Sequence, residues 1–113
     1  MTCPAHNTAR HRGRRHARRH LDFRHTAQAA LRAAPGLLKA WLPGGRMVGN
    51  EWLVLNPRRP DRNPGSFKVN VMTGRWADFA TGDGGRDLIS LRAYLLGCSQ
   101  GDAARSILRE LAA

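Results

Sequence analysis

Residues 51–91 read EWLVLNPRRPDRNPGSFKVNVMTGRWADFATGDGGRDLISL. The hydrophobic period changes repeatedly along this stretch, and those changes decide the fold class. EWLVLN, residues 51–56, is apolar on both faces and reads as a central strand. NPRRPDRNPG, residues 56–65, holds three Pro, two Asn and one Gly, a loop composition. SFKVNVM then alternates: Phe67, Val69 and Val71 face one way, Ser66, Lys68 and Asn70 the other. Thr73-Gly74 is a turn signal, so Arg75-Trp76-Ala77-Asp78-Phe79 returns as the second strand of a hairpin. TGDGG, residues 81–85, reads as a glycine-rich loop. Asp87 caps the helix DLISLRAYLL, which carries Leu88, Leu91 and Leu95 on one stripe and stops at Gly97.

The flanks are helical. Thr26 is placed to cap TAQAALRAA, Pro35-Gly36 interrupts it, and LLKAWL adds a short helical piece ended by Pro43-Gly44-Gly45. Leu31, Leu38, Trp41 and Leu42 are the core contacts expected from this part. Ser99 starts a last helix with Asp102 three residues on, a variant capping box. Ala104, Ile107, Leu108 and Leu111 then follow as one buried stripe, with Arg105 and Arg109 opposite. Cys98, in the connection between the last two helices, reads as a small packing residue. The expected order is one helical region, three antiparallel strands and two helices, a small α+β domain over residues 26–113.

Residues 1–25, MTCPAHNTARHRGRRHARRHLDFRH, hold seven Arg, one Asp and all five His. Too few apolar side chains occur there to build a core, so the stretch reads as a disordered basic arm. An arm that grips phosphates, or a start assigned too early in GC-rich coding DNA, are the other readings. The histidines and Cys3 do not make a convincing metal site among so many arginines. The whole chain has 113 residues, with 19 Lys and Arg against 8 acids and a net charge of +11. The excess persists over residues 26–113, where twelve basic residues face seven acidic ones. Such a chain is attracted to polyanions, of which nucleic acid is the commonest. The 17 Arg against 2 Lys favour bidentate phosphate or base contacts, or equally reflect a GC-rich genome. Two distant cysteines, Cys3 and Cys98, form neither a disulfide framework nor a four-ligand zinc site, which fits a reducing cytoplasm. No run of 18 apolar residues and no secretory signal occur in the sequence, so a membrane span is not expected.

Catalysis finds no scaffold. Asp78, Asp83 and Asp87 are the one acidic cluster, and every His lies in the arm, so the folded part offers no imidazole base. TGDGG runs into a helix N-terminus and so is a candidate phosphate contact, but it lacks the Lys-Ser/Thr ending of a Walker loop and reads first as a structural turn. Cations beside aromatics are the stronger constellation. Arg58, Arg59 and Arg62 crowd the proline-rich loop, Lys68 projects from the outward face of a strand, Arg75 and Trp76 lie on its hairpin partner, and Arg86 follows the glycine loop. This arrangement offers phosphate contacts plus one stacking ring, Trp76, provided that ring is not in the core.

NPRRPDRNPGSFKVN followed by RWADFATGDGGRDLISL resembles the zinc-ribbon module at the N-terminus of bacterial and phage DnaG-type DNA primases. In that family a Cys-Pro-x-His stretch precedes a Pro-Ser-Phe strand, and a Cys-x-x-Cys knuckle leads into Gly-Gly-Asp-x-Ile and two helices. Pro57, Pro64, Ser66 and Phe67 match the first half with Gly65 inserted; Gly84, Gly85, Asp87 and Ile89 match the second with Arg86 inserted. Ser99 to Leu111 resembles the closing helix, so the resemblance covers about 70 residues from Trp41 on. The ligand positions, however, carry Asn56, Arg59, Asp78 and Thr81. None is a thiolate or imidazole, and an Arg there repels Zn²⁺. The resemblance therefore implies a ribbon that has lost its metal, as in primase-like modules of plasmid and phage replication proteins carrying a Toprim or helicase domain. Apolar packing by Trp41, Trp52, Phe67, Trp76 and Phe79 is then expected to replace a metal contribution that reaches roughly 10 kcal/mol in zinc-dependent folds.

Taken together, these readings give an expected function: a non-enzymatic nucleic-acid-binding module, without cofactor or metal, acting in replication of a mobile element or prophage. Single-stranded or forked DNA is the favoured ligand, held by Arg58, Arg59, Arg62, Lys68, Arg75, Trp76 and Arg86. The alternative is a protein-interaction module that docks on a separately encoded primase, helicase or host protein. An enzyme acting on a phosphorylated substrate at the TGDGG loop is disfavoured, because no base or metal accompanies the loop.

Overall fold

The computed structural model describes residues 22–58 and 66–113, and they form an α+β fold. Two helices, α1 (Phe23–Arg32) and α2 (Ala34–Trp41), precede an antiparallel sheet of β1 (Arg46–Val48), β2 (Glu51–Val54), β3 (Phe67–Asn70), β4 (Trp76–Asp78) and β5 (Asp83–Gly85). Helices α3 (Leu88–Leu96) and α4 (Gln100–Ala112) follow. The strands lie in chain order, β1-β2-β3-β4-β5, so the sheet is a simple meander.

The sheet has five strands where the sequence suggests three. Both additions are edge strands of three residues that carry no apolar alternation. In β1 every residue is exposed. The two-residue link Gly49-Asn50, with Gly49 at φ +63°, turns β1 back onto β2. β5 is Asp-Gly-Gly, a loop by composition that joins the sheet by backbone pairing to β4.

The helix starts also differ in part. Asp22, not Thr26, caps α1: its carboxylate accepts from the His25 N–H at 3.0 Å, and Thr26 is buried one turn further in. The folded unit thus takes in residues 22–25 of the stretch expected to be an arm; residues 1–21 lie outside the described residues. Pro35 sits in the first turn of α2, where its missing N–H costs no helical bond, so it opens a helix rather than breaking one. Asp87 caps α3, Gly97 ends it at φ +69°, and Ser99 caps α4, as the sequence indicates.

One side of the sheet faces the helices. Trp52 and Val54 of β2, Phe67 and Val69 of β3 and Trp76 of β4 are buried there with Leu38, Leu42, Leu88, Ile89, Leu91 and Ile107. Phe67 and Trp76 meet edge-on, with ring centres 6.0 Å apart, and Trp76 lies 4.8 Å from the Tyr94 ring of α3. The three tryptophans each find a partner for the indole N–H. Trp41 donates to both carboxylate oxygens of Glu110 (3.0 and 3.1 Å), Trp52 to the Leu42 carbonyl (3.1 Å) and Trp76 to Ser90 Oγ (2.9 Å). Each bond ties one element to another, which combines a large apolar burial with a fixed orientation. Arg92 lies over the Trp41 ring at 4.7 Å and 3.9 Å from Glu110, which closes a three-residue contact among α2, α3 and α4.

Four of the five side chains expected to substitute for a metal, Trp41, Trp52, Phe67 and Trp76, are in this core. Phe79 is not: it is 70% exposed. Strand alternation explains why. Trp76 faces inward, so Phe79, three residues on, faces outward.

Gly45 and Gly85 pass against indole rings. A Cβ on Gly45 would lie 2.6 Å from Trp52 Cε2 and 2.8 Å from the Leu53 carbonyl. Gly45→Ala is therefore expected to lower stability by about 1–3 kcal/mol through overpacking. Gly36→Ala, where a Cβ meets nothing within 4 Å, is expected to be neutral or stabilising by up to about 1 kcal/mol. Urea unfolding midpoints of the two variants check the contrast.

Candidate nucleic-acid interface

The two loops that leave the same end of the sheet are joined by a buried polar hub. Asn56 follows β2 and Asp78 ends β4; they are 2% and 0% exposed. Asn56 Nδ2 donates to Asp78 Oδ2 at 2.7 Å and to the Tyr94 hydroxyl at 2.9 Å. Asn56 Oδ1 accepts from the Arg58 N–H at 2.7 Å. The other Asp78 oxygen accepts from the Ala80 N–H at 2.9 Å, and the Asp78 carbonyl accepts from Gly82 at 2.8 Å, which shapes the β4–β5 turn. Tyr94 passes its own hydroxyl hydrogen to Asp83 at 3.2 Å, and Thr81 Oγ1 donates to the same oxygen at 3.1 Å.

Asn56 and Asp78 are two of the positions that the primase resemblance equates with metal ligands. The geometry does not suit a zinc ion. Asn56 turns its amide hydrogens, not lone pairs, toward Asp78 and Tyr94, and a metal ligand would have to present lone pairs. Among the described residues no group of three or more His, Cys, Asp and Glu side chains lies together. Thr81 is exposed, and Arg59 lies outside the described residues.

Among the described residues no helix packs on the sheet's second side. Its side chains fall in rows across the strands. Arg46, Leu53, Lys68, Ala77 and Gly84 form the middle row through successive cross-strand pairs. Val48, Glu51 and Asn70 form a second row, which Arg75 and Arg86 continue one residue outside β4 and β5. Phe79 marks the third, with its N–H bonded to the Ser66 carbonyl at 2.8 Å so that the ladder runs on past β4. Lys68 Nζ is 5.4 Å from the centre of the Phe79 ring and 3.9 Å from Glu51. Arg46, Lys68, Arg75 and Arg86 thus share a face with one carboxylate, Glu51. Arg46, Arg75 and Arg86 make no ion pair with a described residue.

The acids explain why this face is basic. Among the described residues, Asp22, Asp87 and Asp102 stand at helix N-termini, Asp78 and Asp83 belong to the hub, and Glu110 holds Trp41. Only Glu51 remains on the open sheet.

The residues expected to bind from sequence separate into groups. Lys68, Arg75 and Arg86 come together on the open face. Arg58 does not join them: its guanidinium donates to the Tyr94 carbonyl at 2.5 Å and lies 5.2 Å over the Tyr94 ring, where it caps the end of α3. Trp76 is only 6% exposed and fills the core, so it presents no ring for stacking. Arg59 and Arg62 lie outside the described residues. The TGDGG loop is no anion cradle either. Residues 83–85 are strand, and Asp87 already occupies the α3 N-terminus by accepting from the Ser90 N–H at 2.8 Å. Two residues were missed, Arg46 and Phe79. The Gly49-Asn50 turn points to the first and counting by twos from Arg75, through Ala77, to the second.

Neither a scan against protein-family models nor a search of curated proteins finds a match for this chain.

Removing one partner of the hub leaves a buried carboxylate short of a donor. Asn56→Ala is expected to cost about 2–4 kcal/mol in equilibrium unfolding. Purified protein is expected to hold no stoichiometric zinc by elemental analysis, and a chelator is expected to leave its Tm unchanged. A Tm that falls on chelation would replace the hydrogen-bonded hub with a metal.

Proposed function

We propose that the chain is a non-enzymatic nucleic-acid-binding module that holds a phosphate backbone on its open sheet face. The observation that carries this reading is the grouping of Arg46, Lys68, Arg75 and Arg86 on one face where, among the described residues, Glu51 is the sole carboxylate. Phosphate contacts of this kind position a polynucleotide without reading its sequence. The resemblance at residues 56–91 to the primase ribbon is the support for placing the module in DNA replication of a plasmid or phage. Among the described residues no histidine or cysteine stands on the face, and binding is the role its cations suit.

A second reading, docking on a separate replication protein, has one feature in its favour. An open cavity of about 280 Å³ lies between α1, the β3–β4 turn and the start of α3, lined by Phe23, Ala27, Leu31, Gly74 and Leu88 among others. Co-purification with a partner, together with no gel shift of an oligonucleotide at low salt, would favour it.

Binding to the cationic face releases counterions, so affinity is expected to fall steeply between 50 and 200 mM salt. Three to four phosphates on a single strand give a log–log slope of about −2 to −3. The double variant Arg75→Glu/Arg86→Glu is expected to weaken binding uniformly across sequences and to flatten the slope by about 1–2. Arg105→Glu/Arg109→Glu, on α4, is expected to have a smaller effect on both. Fluorescence anisotropy at several salt concentrations measures these quantities, and a flat salt response of the unmodified protein would remove the nucleic-acid reading.

A further inference from the structure

The open face carries a feature that phosphate binding does not use. Phe79 is the most exposed large apolar side chain among the described residues, at 70%. It does not stand alone: it shares the face with four cations, and Lys68 Nζ sits 5.4 Å from its ring centre. An isolated exposed apolar residue needs no explanation, whereas an exposed ring inside a cationic field matches what an unpaired base requires. The ring supplies a π surface and the cations take the phosphates on either side.

We infer that Phe79 is the stacking platform of this face and that the face selects unpaired polynucleotide over duplex. This rests on the nucleic-acid reading and names its ligand class. Shape supports it. Five strands spaced about 4.8 Å apart make a surface roughly 19 Å across, wider than the major groove of about 12 Å that admits a helix or a two-stranded ribbon. A duplex can therefore meet the sheet only along its phosphates, and its bases stay stacked out of reach of Phe79. A single strand can lay a base on the ring while its backbone follows Lys68, Arg75 and Arg86. Every base has a π face, so the contact is tolerant of sequence. It also differs from the ionic contacts in one measurable way: stacking releases no counterions, so it adds affinity without adding salt dependence.

The test uses the full chain with fluorescent 15-nucleotide oligo(dT), oligo(rU) and a DNA hairpin duplex of matched length, each titrated at several salt concentrations. The unmodified protein is expected to bind a single strand more tightly than the duplex. Phe79→Ala is expected to lose about 5- to 150-fold on the single strand and little on the duplex, with the salt slope unchanged. Phe79→Trp is expected to restore the preference. The ring is largely in solvent, so circular dichroism and Tm of Phe79→Ala are expected to match the unmodified protein. The comparison of oligo(dT) with oligo(rU) tells whether the unpaired strand is DNA or RNA; dependence on Phe79 with either supports the inference. A Phe79→Ala protein that keeps its single-strand affinity, while binding stays salt-dependent, would overturn the stacking role and leave the phosphate grip standing. An unmodified protein that binds none of the three would overturn both.

Discussion

The Asn56–Asp78 hydrogen bond is the constraint on which the arrangement of the sheet depends. It is 2.7 Å long and fully buried, and it joins the chain leaving β2 to the chain leaving β4. A carboxylate removed from water is costly unless its oxygens are supplied with donors. Asn56 and the Ala80 N–H supply them here, and in doing so they set where the β4–β5 turn begins. The second Asn56 hydrogen fixes the Tyr94 hydroxyl, whose ring packs on Trp76. A single polar contact therefore orients two loops, an aromatic core residue and the start of the edge strand. Networks of this kind strengthen when every member is satisfied and become a liability when one is lost.

Apolar packing and polar bonds hold the interior together. The indole rings of Trp41, Trp52 and Trp76 do fill the interior, yet each also spends its N–H on a bond that fixes one element against another. The knuckle itself is held by polar chemistry. Asn and Asp at neighbouring loop ends can hydrogen-bond to each other directly, which a pair of metal ligands cannot do around an ion. Asn56 and Asp78 thus anchor a branched set of hydrogen bonds that takes in Tyr94, Asp83 and Arg58.

Legibility in the sequence followed the size of the local signal. Strands β2, β3 and β4 and helices α3 and α4 carry strong periodicity or caps, and they stand where that periodicity puts them. The edge strands β1 and β5 were hidden because an edge strand needs only backbone pairing on one side, and Arg-Met-Val and Asp-Gly-Gly offer no alternation to read. Trp76 reads from sequence as the stacking ring and Phe79 as a packing residue, and the strand exchanges the two roles, because three residues separate them and a strand inverts its facing at every step. Arg58 was read as a surface cation because its partner, the Tyr94 carbonyl, is 36 residues away in sequence. The hub escaped for the same reason: Asn56 reads as a loop residue and Asp78 as a strand end, and only the fold brings the two into contact.

The same partition that builds the interior leaves the open face charged. Acids at helix starts and in the hub are absorbed by bonds to N–H and O–H groups, so their charge is offset within the fold. Of the outer-face cations, Lys68 alone has a carboxylate partner among the described residues, Glu51. Arg46 and Lys68 share a row with Leu53 between them, so their backbones are two strand spacings apart, about 10 Å, comparable to the screening length at physiological salt. Arg75 and Arg86 flank the next pair of strands more closely, and Glu51 reaches Lys68 only at 3.9 Å on an exposed surface, where such a pair contributes little. The face therefore carries residual repulsion that a polyanion relieves. A ligand that relieves repulsion in the folded state binds that state preferentially, and its binding must raise the stability of the fold by linkage. On the proposed reading, charge on this sheet would couple affinity to stability, with the buried hub holding the strands at the spacing that keeps the four cations on one surface.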